Sequence, residues 1–184
     1  MCVHGANPKA GEDPVATAAA VLNNFGTDNW KAELYESLSL AARLSMAVKS
    51  VKTHGHSVRM SYWLWKINGK AAKFFQRVDD ITAGTIPSDP DAKPPTPEEI
   101  QKAIAKLMEV GTSYNSIYEE ARRKRLLNNS LIAGPVTALR ANADQFFELA
   151  EWCELMLHAD RVEEIFAAAN EQRATGDVYD LSQV

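Results

Sequence analysis

The sequence predicts an all-α protein with a four-helix-bundle-like core of two long helical hairpins and additional short N- and C-terminal helices. Two stretches space their apolar residues by alternating steps of three and four, which places them on one face of a helix. The first stripe comprises Met60, Leu64, Ile67, Ala71, Phe74, Val78 and Ile81, and the second Ile132, Val136, Leu139, Ala143, Phe146, Ala150, Cys153 and Leu157. A chain of 184 residues can bury about 70% of its unfolded surface as one domain.

The N-terminal region is predicted to be a flexible arm over residues 1–12, followed by a short helix. Asp13 can cap that helix while Pro14 takes its first position, where the missing N–H does no harm. Gly26 is expected to end it, because glycine adopts the left-handed conformation of helix C-termini. The single helical domain therefore begins at residue 13.

A second helix is predicted from Trp30 to about Thr53, and it leads into the first stripe through residues 54–57. Gly55 and Ser57 supply a helix end and a new capping hydroxyl, which favours a tight hairpin. One continuous bent helix is the alternative, since a single glycine costs only about 1 kcal/mol inside a helix.

Four prolines mark the linker over residues 84–96 that joins the two hairpins. The third long helix begins directly after it: Thr96 can cap, Pro97 fits the first position, and Glu99 completes a capping box. Gly111 lies on the apolar face of this helix and indicates close approach of a neighbour.

The fourth helix carries the second stripe, and its start is ambiguous because Gly134-Pro135 would break or kink a helix. We place the turn at residues 128–134. Asp160 and Glu163 can cap a last short helix, so the domain extends over 13–176 and is followed by a C-terminal tail, 177–184.

Composition restricts the class of protein. The net charge is −4, but residues 30–83 hold nine Lys/Arg against four Asp/Glu, whereas residues 144–184 hold two against ten. No stretch reaches the roughly 20 apolar residues of a membrane span, and the N-terminus lacks a signal-peptide pattern. With Cys2 and Cys153 interpreted as free thiols, we expect a cytoplasmic protein without a membrane partner.

A basic line with one aromatic ring runs beside the first stripe and forms the first candidate site. Its members are Arg59, Trp63, Lys66, Lys70, Lys73 and Arg77, again spaced by threes and fours. Such a line can follow a phosphate backbone while the indole stacks on a base. The alternative is a solvated helix face whose cations pair with the acidic helices near the C-terminus. We prefer this interpretation because the overall pI is about 5.6.

Four consecutive cations, Arg122, Arg123, Lys124 and Arg125, form the second candidate anion or nucleic-acid site. Cations are also favoured at a helix C-terminus by the peptide dipoles, and we prefer that structural interpretation.

The chain has more aromatic residues than the interior of one helical bundle can easily bury. Adjacent rings such as Phe74-Phe75 lie about 100° apart on a helix, so one of each pair faces sideways. A second packing surface is therefore expected, either for a terminal helix of the same chain or for a protein partner. The candidates to face it are Trp65, Phe75, Phe147 and Trp152.

No catalytic, cofactor or metal motif stands out. Glu148, Glu151 and Glu154 recur every three residues but lack the Glu-x-x-His pairs of helical di-iron sites, so a solvated acidic face is preferred. His54 and His56 lack a third ligand nearby.

The function expected from these features is non-enzymatic. We predict a helical-bundle protein that mediates protein–protein interaction or self-assembly through a protein partner, possibly a second copy, with no cofactor. Nucleic-acid or polyanion binding through the basic face is the alternative.

Overall fold

The computed structural model describes residues 14–51, 58–84 and 95–158, and its regular structure is entirely helical. Four long helices are present: α1, Pro14–Ser50; α2, Val58–Thr82; α3, Pro97–Arg123; and α4, Ser130–Leu157. A 3-10 turn, Leu126–Asn128, joins α3 to α4. The prediction of an all-α chain with four long helices is confirmed for this part of the sequence. The predicted arm, last short helix and tail lie outside the described residues.

Both predicted stripes form the core. Every member of the first stripe is buried on α2, and on α4 the second stripe is buried from Ile132 to Cys153, with Leu157 partly buried at its end. The stripes meet where Phe146 of α4 contacts the rings of Phe74 and Phe75 of α2 at centroid distances of 5.5 and 4.8 Å. The spacing rule therefore identified the correct inward face of both helices.

Helix α1 corrects the predicted break at Gly26. The structure forms one continuous helix of 37 residues instead of a short helix followed by a longer one. Ala18 is fully buried before Gly26, and Leu22 is partly buried against the core. Continuing the helix therefore gains packing that offsets a glycine cost of about 1 kcal/mol.

The helices run up, down, up and down around one core. Lys70 pairs with Glu36 and Arg77 with Glu33, so rising numbers on α2 meet falling numbers on α1 and the two are antiparallel. Helix α1 also contacts α3 and α4, and α4 contacts α2 and α3, while α2 and α3 lie opposite each other. The predicted turn at 54–57 lies outside the described residues, but antiparallel α1 and α2 are what a hairpin requires.

Helix α3 begins as predicted. Thr96 Oγ1 accepts a hydrogen bond from the Glu99 N–H at 3.2 Å, and Glu99 Oε2 accepts one from the Thr96 N–H at 2.9 Å. Together with Pro97 at the first position, this is a complete capping box.

The predicted turn at 128–134 was placed too late. Helix α4 already begins at Ser130, where Asn129 Oδ1 caps it by accepting from the Leu131 N–H at 3.0 Å, so Gly134 and Pro135 lie inside the helix. A proline so near a helix start removes only one internal hydrogen bond, and the cap together with burial of Ile132 and Val136 compensates for it.

Tyr114 of α3 is a buried polar residue in the core. Its hydroxyl makes no hydrogen bond to the described part of the chain, and burial raises its pKa from 10.0 to about 12. The nearby Ser37 hydroxyl lowers the pKa of Tyr114 to a smaller extent, but the two hydroxyls are not placed to form a hydrogen bond. An unsatisfied buried hydroxyl costs stability.

We therefore expect Tyr114→Phe to raise the free energy of unfolding by about 1 kcal/mol at pH 7, measured by urea denaturation. Above pH 10, tyrosine ionises in the unfolded chain before the buried Tyr114 does, so wild-type stability should fall towards pH 12 more steeply than that of the variant. A variant that is less stable at pH 7, with an unchanged alkaline profile, would contradict the unsatisfied hydroxyl.

Candidate interaction surface

The basic line on α2 is largely engaged within the chain. Lys70 Nζ lies 2.8 Å from Glu36 Oε2, and Arg77 pairs with Glu33. Both carboxylates belong to α1, the antiparallel neighbour of this face. Most of the acidic segment near the C-terminus, whose pairing with this line we expected, lies outside the described residues. Both pairs are accessible to solvent at the surface, where ion pairs contribute about 0 to 1 kcal/mol each.

The upper part of the basic line forms a cation–π cluster. The Lys66 ammonium lies 4.9 Å from the ring centroid of Tyr62 and 5.6 Å from that of Trp63, and the Arg43 guanidinium lies 5.4 Å from Trp63. Trp63 is half-buried between these cations, so its faces are partly occupied. Lys73 is exposed, and the side chain of Arg59 lies outside the described residues.

The cluster at residues 122–125 is divided among three different roles. Arg122 and Arg123 lie in an open groove of about 550 Å³ on α3, where each pairs with a glutamate one turn earlier, Glu119 at 2.9 Å and Glu120 at 2.6 Å. The hydrogen bond from Arg123 lowers the pKa of Glu120. This mixed-charge surface does not form the continuous cationic site that the sequence suggested.

Lys124 and Arg125 end helices instead of offering charge to a ligand. Lys124 Nζ donates to the carbonyl oxygens of Val48, Lys49 and Val51 at 2.9, 2.6 and 2.9 Å, which satisfies the C-terminus of α1. Arg125 has φ 58°, the left-handed conformation that follows a helix C-cap. The preferred structural interpretation of this cluster fits these contacts.

Three of the four aromatics expected to face a partner are packed within the chain. Phe75 and Trp152 are only 6% and 8% exposed, so they belong to the core. Phe147 is partly buried against α3, where a methyl group added at Gly111 would lie 2.7 Å from Phe147 Cε1. The close approach predicted at Gly111 is therefore made by the ring of Phe147, which packs against α3.

Trp65 alone of these four is exposed, at 71% of the residue's surface. Tyr62, one turn earlier on α2, is 45% exposed, and the two ring centroids are 6.5 Å apart. On α4, Leu131 is 63% exposed. Large aromatic side chains exposed to solvent on a helix are typical of protein–protein interfaces.

Two asparagines define the seam between α2 and α4 beside Trp65. Asn68 Nδ2 donates to the Pro135 carbonyl oxygen, and Asn142 Nδ2 donates to Asn68 Oδ1, each at 2.9 Å. On each helix, further residues continue from these asparagines at steps of three and four along the outer side. We call the two rows together the asparagine seam: Ser61, Trp65, Asn68 and Ala72 on α2, and Leu131, Pro135, Ala138, Asn142 and Gln145 on α4. None of them is charged.

The other outer seams between neighbouring helices all carry charged side chains. They are bridged by Lys70 and Glu36 between α1 and α2, by Arg140 and Glu119 between α3 and α4, and by Lys106 over the ring of Tyr35 between α1 and α3. The asparagine seam is therefore the surface from which a partner would displace the fewest hydrated charges.

Sequence reasoning missed the asparagine seam because it followed cations and surplus rings. A signal was available: residues 61, 65, 68 and 72 continue at helical spacing without a charge, and residues 131, 135, 138, 142 and 145 do the same. Only the structure shows that the two uncharged rows lie side by side.

The acidic row and the cysteine do not assemble a reactive centre among the described residues. Burial and the neighbouring Glu151 raise the pKa of Glu148, and burial raises the pKa of the Cys153 thiol to about 12, which keeps it protonated and unreactive. Within residues 14–51, 58–84 and 95–158, no three His, Cys, Asp or Glu side chains come together as metal ligands. In the same ranges no helix has the length and apolarity to cross a membrane.

The part of the chain that the structure describes is all-helical, with four long helices around a common core and an outer seam between α2 and α4 that lacks charged side chains. No protein-family model matches the sequence, and neither curated proteins nor solved structures show significant similarity to it. The functional assignment therefore depends on the surface itself.

Proposed function

We propose that this chain is a non-enzymatic four-helix-bundle protein that mediates protein–protein interaction, and that it does so in the cytoplasm. The observation that carries the proposal is Trp65, which is 71% exposed on a rigid helix beside a seam without charged residues. The partly exposed ring of Tyr62 enlarges the same surface.

The physical basis is the low free-energy cost of desolvating this surface. Interface centres are depleted of charged residues and enriched in aromatic rings, because a ring buries a large apolar area and loses little conformational freedom. Trp65 is part of a well-packed helix, since Leu64 and Ile67 on either side of it are fully buried. The indole is thus presented without an ordering cost to the backbone.

Trp65→Ser tests this function, with Met46→Ser as the matched control. Met46 is 72% exposed on α1, so both variants remove an exposed apolar side chain without opening the core. The immobilised wild-type chain is expected to retain a defined protein, either a free copy of itself or another chain from its host cells. Trp65→Ser should weaken that retention about tenfold or more, and Met46→Ser should not.

Two outcomes would contradict the proposal. The wild type could retain no protein above a blank support, or it could retain the same proteins as Trp65→Ser. Circular dichroism at 222 nm verifies that both variants remain helical, so lost retention is not mistaken for unfolding.

A second candidate is polyanion binding, supported by one observation. Lys66 and Arg43 lie against the rings of Tyr62 and Trp63, which joins positive charge to aromatic surface as single-stranded nucleic-acid sites do. Fluorescence anisotropy with a labelled single-stranded oligonucleotide should then show binding that weakens steeply with salt. Absence of binding at low salt removes this candidate.

A further inference from the structure

We infer that the C-terminal tail of this chain, residues 177–184, binds across the outer face of α2 and covers Trp65. The inference goes beyond the proposed function, because it names a contact within the chain that a separate protein partner would have to displace. The tail itself lies outside the described residues. The charge and shape of the described face, the composition of the tail and the distance between them carry the inference.

The outer face of α2 offers positive charge without carboxylates. Helix α2 has no Asp or Glu before Asp79, whereas five cations precede that residue: Arg59, Lys66, Lys70, Lys73 and Arg77. Lys70 and Arg77 pair with glutamates of α1. Within the described residues no carboxylate pairs with Lys66 or Lys73, so these two lysines are available to an acidic ligand.

Aromatic rings extend this face from the lysines to Trp65. The Lys66 ammonium lies 4.9 Å from the ring centroid of Tyr62, and the rings of Tyr62 and Trp65 are 6.5 Å apart. Gly69, one turn after Trp65, is exposed, and a Cβ built there would meet no described atom within 4 Å. The face therefore combines two available cations, two exposed rings and one shallow position, which suits a segment that mixes carboxylates with apolar side chains.

The tail has this complementary composition. Its only charged side chains are those of Asp177 and Asp180, and its apolar or aromatic side chains are those of Val178, Tyr179, Leu181 and Val184. The larger C-terminal part, residues 159–184, holds six Asp/Glu against two Lys/Arg, so it is drawn towards a basic face as a whole.

The spacing of the charges also agrees. Asp177 and Asp180 are separated by about 10 Å when the chain between them is extended. Lys66 and Lys73 are separated by about 10 Å along α2, at 1.5 Å per residue. Tyr179 falls between the two aspartates in the sequence, as the shallow position at residue 69 falls between the two lysines.

The tail can reach this face from the end of α4. Asn68 contacts Pro135 and Asn142, so this part of α2 is level with the α4 position midway between them. His158, where the described part of the chain ends, lies about 30 Å further along α4. The stretch from 158 to 177 can extend over about 60 Å, twice the distance required. A tethered segment competes with free ligands at an effective concentration of about 1 mM, which singles out the tail as the acidic occupant of this face.

Paramagnetic broadening of nuclear magnetic resonance signals in the full chain tests the contact. In a Cys2→Ser background, a nitroxide is attached through the substitution Ser182→Cys, since Cys153 is buried. The indole N–H resonance of Trp65, assigned by its absence in Trp65→Phe, and the amide resonance of Gly69 should lose most of their intensity. Reduction of the nitroxide should restore both, and added salt should weaken the broadening because it screens the charges.

Exchange of charges tests whether the lysines hold the tail. Lys73→Glu should restore most of the lost intensity, and Lys73→Glu combined with Asp180→Lys should lose it again, because the charges are then reversed on both sides. Lys102→Glu, at an exposed lysine of α3, is the matched control and should leave the broadening unchanged.

Three results would overturn the inference: no broadening in the wild type, broadening that Lys73→Glu leaves intact, or broadening between separate chains when the nitroxide and the isotope label are on different molecules. A labelled oligonucleotide that binds through Lys73 to a chain without broadening would assign the face to nucleic acid, which also overturns it.

The proposed function can fail separately. If Trp65-dependent retention of a protein is found without broadening, the tail contact is wrong and the proposed function stands. If the charge-dependent broadening is found, but neither the wild type nor Asp177→Lys with Asp180→Lys retains any protein, the tail contact stands and the proposed function is wrong.

Discussion

Replacing Phe146 with alanine is expected to lower the free energy of unfolding by about 3 to 5 kcal/mol. Phe146 is fully buried on α4, and its ring contacts Phe74 and Phe75 of α2 and Tyr114 of α3 at centroid distances of 5.5, 4.8 and 5.4 Å. The substitution leaves a cavity where three helices meet, which the surrounding rings cannot fill without moving the helices.

The measurement is urea denaturation followed by circular dichroism at 222 nm, and Phe147→Ala is the matched control. Phe147 is the next residue and carries the same side chain, but it is only partly buried, against Gly111. We expect a smaller loss there, about 1 to 2 kcal/mol. Equal losses at the two positions would show that Phe146 is not the centre of the core.

The inward faces of the helices could be predicted because they depend on local spacing alone. Met60 to Ile81 and Ile132 to Cys153 repeat at three and four steps, and any helix with that repeat must bury that side. The capping box at Thr96 is equally local, since its hydrogen bonds join residues three apart.

The helix boundaries at Gly26 and Pro135 could not be predicted in the same way. Each residue weakens a helix by a few kcal/mol at most, and whether the helix continues depends on what packing it gains. Ala18 before Gly26 and Ile132 before Pro135 are both fully buried, so continuing each helix gains tertiary contacts whose strength local spacing does not give.

The candidate sites depended still more on contacts between distant residues. Lys70 and its partner Glu36 are 34 positions apart, and nothing local distinguishes Lys70 from an unpaired cation. Phe75 and Trp65 are both aromatic residues of α2, yet only the arrangement of α4 decides which is covered. The asparagine seam likewise exists only because two uncharged rows happen to be neighbours.

Lys124→Met is expected to lower the free energy of unfolding by about 1 to 3 kcal/mol, the second largest effect we anticipate. Methionine keeps much of the apolar stem but cannot donate to the carbonyl oxygens of Val48, Lys49 and Val51, which now accept at 2.6 to 2.9 Å. The positive charge at the C-terminal end of the α1 dipole is lost as well.

Arg123→Met separates this capping role from the general loss of a cation. The neighbouring Arg123 is 70% exposed and, among the described residues, pairs along its own helix with Glu120, so its removal should leave the free energy of unfolding nearly unchanged. Hydrogen exchange of the α1 amides near Val48 should accelerate in Lys124→Met and not in Arg123→Met, because the lost bonds hold that helix end. Equal stability of the two variants, with unchanged exchange in α1, would mean that Lys124 is a surface cation like its neighbours and that the end of α1 is held by core packing alone.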